Sequence, residues 1–163
     1  MSSHNENKRD RKIESGSGRP GDGGHGPVIG SQIPDPRILT PVFKSYRDLE
    51  VWQKSMDLVV NCYQLTRSFP KYEVFGLASQ IQRAVVSIAA NIAEGRARQH
   101  TKEFLQHLSI AHGSLAELET LLLIAERLEY ISAKSLEELM NKTSTIGRML
   151  NGLRTSLKNK ERI

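Results

Sequence analysis

The chain has one cysteine and few aromatics, and it has no long apolar run. Cys62 has no second thiol in its own chain, which excludes an intramolecular disulfide framework, and no Cys/His cluster has zinc-binding spacing. Such usage fits a reducing compartment, and cytoplasm is the expected location. No stretch approaches 18 uninterrupted apolar residues, and the polar N-terminus has no apolar core behind its charges. Neither a membrane span nor a secretion signal is expected. Trp52 and the tyrosines do not interleave with basic residues as a stacking platform for single-stranded nucleic acid would.

The signatures of catalysis are missing as well. No GxSxG elbow, P-loop or strand-following GxGxxG occurs, and the glycines of GDGGHG open no helix. His107 and His112 are five apart, about 140° on a helix wheel, so they cannot form the i, i+4 pair of a metal-binding helix. Both read as surface or boundary histidines. Glu117 and Glu119 diverge by about 160° on the same wheel, and the paired Glu-x-x-His motifs of di-iron bundles do not occur. Cys62 falls on an apolar helix face and reads as a packed thiol. Enzymatic activity, a metal and a cofactor are all unexpected, and mixed charges along the helices argue against a membrane partner.

What is present begins with charge. Lys and Arg total 23 against 18 Asp and Glu, a net +5 that mildly favours anionic partners. Residues 1–45 carry Gly, Ser and closely spaced Pro, as in SGSGRPGDGGHGP and PDPRILTP, and cannot bury enough apolar surface to offset chain entropy. A disordered leader is expected there, with KRDRK (Lys8 to Lys12) more simply a solvated cluster than a contact for RNA or acidic lipid.

From Ser45 the apolar spacing becomes helical almost without interruption. Residues 46–163 are expected to form one all-α domain, an antiparallel up-down-up-down four-helix bundle with helices at about 47–69, 77–97, 102–128 and 135–158. Ser45 with Asp48 predicts a capping arrangement before two neighbouring apolar lines, one through Leu49, Trp52, Met56, Val59 and Tyr63, the other through Val51, Leu58, Cys62, Leu65 and Phe69. Pro70 ends that helix. Thr101 is the expected N-cap of the third helix, and Ser135 with Glu138 the expected capping box of the fourth.

The second helix is the unusual one. On a wheel, Leu77, Ile81, Ala84, Ile88 and Ile92 share one arc and face the core, while Ala78, Val86, Ala89, Ala90 and Ala93 form a second, small-residue side. Between them runs a polar stripe of Gln80, Arg83, Ser87, Asn91, Glu94 and Arg98. A helix with so little solvent face asks for a second partner, and a neighbouring copy of the domain is the expected one. Ser87 and Asn91 are short enough to hydrogen-bond to a facing helix, where Ser114 and Glu117 are the expected partners and Gly113 would allow close approach. Ser87, Ala89, Asn91, Ala93, Glu94, Ser114 and Glu117 are therefore candidates for an assembly seam. The arginines can reach outward from the same stripe to meet phosphates.

The blocks YRDLEVWQKSMDLV, SFPKYEVFGLASQIQRAVVSIAANIAEGRAR and HLSIAHGSLAELETLLLIAERL resemble the bacterial four-helix-bundle family of the 23S ribosomal RNA intervening-sequence proteins. The accessory variability determinant proteins of diversity-generating retroelements are relatives of that family. The resemblance covers about Ser45 to Lys158 and leaves the leader out. It implies a homopentameric barrel without enzymatic activity, basic surfaces that contact RNA or DNA and, in the retroelement setting, a reverse transcriptase as partner. Carried over by position, Arg83, Arg96, Arg98 and Lys102 are the candidate nucleic-acid contacts. The position before GSL is often basic in the family and is His112 here, whose charge depends on pH. Two classes of function stay open: a nucleic-acid-associated accessory oligomer, and a structural or adaptor oligomer that binds protein.

Overall fold

The computed structural model describes residues 45–160. The expected leader lies outside the described residues, apart from Ser45. Within them the chain is helical throughout, with no strand: α1 (Glu50–Thr66), α2 (Leu77–Ala97), α3 (Thr101–Arg127) and α4 (Ala133–Lys160), with short 3-10 turns at Tyr46–Asp48 and Lys71–Phe75. Around the core α1 packs on α2, α2 on α3, α3 on α4 and α4 on α1, while the backbones of the diagonal pairs stay apart.

Apolar spacing decides which face of each helix turns inward. Leu58 and Cys62 of α1, Ile81, Ile88 and Ile92 of α2, Leu108, Leu118 and Leu122 of α3, and Ile146 and Leu150 of α4 are fully or almost fully buried in one continuous core. Each such aliphatic side chain contributes about 1.5–3 kcal/mol on leaving water, which is why this pattern outweighs the weak helix propensities of the β-branched residues in α2. Of the two lines on α1, the one through Val51, Leu58 and Cys62 is the buried one, whereas Met56 and Tyr63 of the other are exposed. α3 is long and apolar enough to cross a bilayer by length and composition, and its buried residues belong to this same core.

The helix starts differ from the expected ones. Ser45 and Asp48 do form a reciprocal capping box, but around the 3-10 turn; α1 starts later, behind Leu49, which has no side-chain cap. Thr101 is the first residue of α3 rather than its cap, and His100 ahead of it caps nothing through its side chain. α4 begins a half-turn before Ser135, because Ser132 Oγ accepts from the Ser135 N–H at 3.1 Å and so displaces Ser135 as the capping hydroxyl. Glycine placement differs too. A Cβ on Gly113 would meet nothing within 4 Å, so this glycine admits no close neighbour; the close approach between α2 and α3 is at Gly95.

Candidate functional site

The polar stripe of α2 turns inward only at its middle. There, Ser87 Oγ and Ser114 Oγ of α3 are 2.8 Å apart. One turn on, Asn91 Nδ2 donates back to the Ser87 carbonyl at 2.9 Å and to Ser87 Oγ at 3.2 Å, while its Oδ1 lies 3.1 Å from His107 Nδ1. Because the Ser87 carbonyl can only accept, the Asn91 amide must present Nδ2 to it and Oδ1 to the imidazole. His107 is thereby held as the Nδ1–H tautomer. Glu94 Oε2 lies 3.8 Å from the same nitrogen on the solvent side. Ser114 is buried, Ser87, Asn91 and His107 are half-buried, and Glu94 is exposed.

This seam joins four of the seven candidate assembly residues and omits the others. Glu117 is exposed and makes none of these hydrogen bonds. Ala93 is half-buried, and Ala89 is 5% exposed, covered within the protomer itself. On the small-residue side of α2 this leaves Val86, Ala90 and Ala93 to face outward, with Ala78 and Ala89 buried. His107 is the residue that sequence reasoning missed. Its five-residue offset from His112 excludes a metal pair, but its distance to Asn91 depends on the register of two helices and not on spacing within one.

The four candidate phosphate contacts separate into two places. Arg83 is exposed and lines a shallow groove between α1 and α2 with Tyr63, Ser79, Gln82 and Val86. Arg98 is the C-cap of α2 and Lys102 lies in the first turn of α3, both exposed, with half-buried Arg96 in the last turn of α2. These three flank a connection with no side-chain cap on the helix it opens.

A second hydrogen-bonded group lies in the other connections. Glu73 Oε2 accepts the Leu77 N–H at 2.7 Å and so caps the start of α2, while its Oε1 accepts from Tyr130 Oη at 3.1 Å. Tyr130 Oη is also 3.1 Å from Tyr72 Oη, and this phenol pair, with the carboxylate, pushes the Tyr130 hydroxyl well above the usual range. Beside Tyr72, Val74 is 57% exposed and Phe75 95% exposed.

Among the described residues no cluster of three or more His, Cys, Asp or Glu is placed to hold a metal. Cys62 is buried, and burial pushes its thiol up to about 12 against a small opposing pull from Lys142. A groove of about 820 Å³ lies between α1 and α4; Lys54, Asp57 and Glu138 line it, and a hydrogen bond from Lys142 to Asn61 crosses it. It mixes charges of both signs and presents no convergent acid, base and nucleophile.

The sequence profile described as 23S rRNA-intervening sequence protein matches residues 47–152. The chain belongs to this family. Among solved structures it is similar to a Bacteroides thetaiotaomicron protein described as a protein with unknown function from the S23 ribosomal protein family. The two are 29% identical with a TM-score of 0.61, over 64% of this chain and 95% of that one. No curated protein matches the chain. The family match spans all of α1, α2 and α3 and most of α4, so the polar seam and the Glu73 group both lie inside it.

Proposed function

We propose that this chain is a non-enzymatic accessory protein of the cytoplasm that works as a homo-oligomer, a pentamer on the family resemblance, and binds RNA or DNA through basic surfaces of the assembly. The observation that carries the oligomer is a pair of apolar outer surfaces. α1 exposes Met56, Val60 and Tyr63 on one side, and α3 exposes Ile110 and Ile124 on one side, with Leu128 at its C-cap in line with them, each between 39% and 51% exposed. α1 and α3 are a diagonal pair whose backbones do not approach closely, so the two surfaces are separate. A two-fold pair would cover one and leave the other wet, whereas head-to-tail contacts that close into a ring cover both.

The same reading takes the four helices as alternating up and down. Short connections favour it, and so do the seam contacts: Ser87 faces Ser114 while the later Asn91 faces the earlier His107. With that alternation, the α2–α3 connection shares one end of the bundle with the start of α1 and the last turns of α4. Arg47, Arg98, Lys102, Lys158 and Lys160 then gather at one end, and repetition around a ring turns a modest charge per protomer into a strong field.

Light scattering at micromolar protein checks the assembly, and a monomer there would overturn it. Retention on RNA and on DNA across a salt series checks the second half: affinity should fall steeply with salt, as counterion release requires. The alternative is an adaptor oligomer that binds a protein, a reverse transcriptase if the retroelement relationship holds. The exposed Tyr72, Val74 and Phe75 favour it, and absence of polymer binding even at low salt would select it.

A further inference from the structure

α4 carries one residue at odds with its own pattern. Thr143, Ile146 and Leu150 are buried, and Leu153 and Leu157 pack against the core. Arg154 lies about 20° from Thr143 and 40° from Leu150 on the helix wheel, at the edge of this core-facing arc. A long cation at such a position normally runs its stem along the apolar surface and delivers its head to water or to a carboxylate. Here the half-buried side chain has its Nε buried with no hydrogen-bond partner among the described residues. No Asp or Glu among those residues pairs with it either; the described ion pairs are Lys54 with Glu50 and His107 with Glu94.

A buried guanidinium nitrogen without an acceptor is costly, and replacing the group by an apolar one of similar length should be favourable if the fold were all it served. Its fork of donors matches a tetrahedral oxyanion better than a point charge would. We propose that Arg154 is the inner ligand of a phosphate-binding site at the end of α4, with the cations of that end, Arg98, Lys102 and Lys158, forming its outer field. The outer field rests on the alternating-helix reading above; Arg154 itself does not. The ligand is a phosphate oxyanion, either free or as a phosphodiester of a nucleic acid.

The test compares full-length wild type with Arg154→Met, and with Arg154→Gln should the first fail to fold. Melting temperature is read in chloride with and without low-millimolar phosphate at matched ionic strength, below the concentrations at which phosphate stabilises any folded protein by exclusion from its surface. Wild type should melt higher in phosphate, because a ligand bound only by the folded state stabilises it by mass action. Arg154→Met should melt at or above the wild-type temperature in chloride and show no phosphate response. Equal melting of wild type with and without phosphate, or a response retained by Arg154→Met, overturns the site.

A short single-stranded RNA and a DNA of the same sequence then separate the two sources. A loss of about tenfold or more in polymer affinity on Arg154→Met, the scale of one charge-assisted contact, assigns the site to a phosphodiester. Unchanged polymer affinity beside a lost phosphate response assigns it to free phosphate. A phosphate response in a protein that binds neither polymer supports the site and overturns the nucleic-acid half of the proposed function.

Discussion

A methyl group on Gly95 would lie 2.6 Å from His107 Cβ and 2.8 Å from Phe104 Cδ2, closer than side-chain atoms can sit. The obstructing Cβ is fixed to the α3 backbone and cannot swing aside. Gly95→Ala should therefore destabilise by about 1–3 kcal/mol despite the gain of up to about 1 kcal/mol in helix propensity. Gly113→Ala meets open space and should stabilise by about 0.5–1 kcal/mol. Urea midpoints of the two variants should move in opposite directions, and two rises would contradict the close packing of α2 on α3. At Cys62 the prediction concerns alkali. The thiol is raised from 9.0 to about 12 in the folded chain, so the unfolded state loses its proton first. The stability from keeping this thiol neutral is complete below about pH 9 and is lost as pH rises towards 12, by about 1.4 kcal/mol per pH unit. Cys62→Ala should flatten that part of the stability-pH curve, measured by denaturant titration.

α3 closes with the Tyr130 N–H on the Ala125 carbonyl and the Glu129 N–H on the Glu126 carbonyl, both 2.9 Å, the paired bonds of a Schellman ending. The residue that must turn left-handed is Glu129, at φ 57, where glycine is the usual occupant. Glu129→Gly should raise the unfolding free energy by about 1 kcal/mol, and an unchanged midpoint would mean the turn is relaxed as it stands. The helices themselves were legible because each rests on many apolar positions, so that Ile81, Ile88 and Ile92 or Leu108, Leu118 and Leu122 fix a face between them. Their starts were not. A cap rests on one or two hydrogen bonds, and Ser132 lies close enough to Ser135 to take over its task. The seam was half legible for a related reason. Ser87 with Ser114 follows from short polar residues on facing helices, but His107 enters only once the register of α2 on α3 is known.

For the whole molecule the question is what the outer surfaces of α1 and α3 are for. Ile124 and Val60 are 40% and 51% exposed, so a charge at either should change protomer stability by no more than about 0.5 kcal/mol. Ile124→Asp or Val60→Asp should nonetheless lower the mass seen by light scattering, because each spoils one of the two unlike surfaces that a closed ring needs. Mixing the two variants should not restore the full ring, since every contact would still meet a charge on at least one side or leave an end open. Full mass in both single variants would place the contacts elsewhere, with the exposed Phe75 the next surface to examine.

Glu73 has a consequence for where the chain tolerates added sequence. Its two carboxylate oxygens tie the start of α2 to Tyr130, so the segment before α2 and the segment after α3 are held as one unit. Among the described residues, the Arg98 to His100 connection has no such tie. A flexible Gly/Ser segment inserted between Gln99 and His100 should leave the fold intact, at the small entropic cost of a longer loop. The same segment between Val74 and Phe75 would separate Glu73 from the helix it caps. A fusion tag or a fluorescent reporter therefore belongs at the first position, and melting temperatures of the two insertions would rank them.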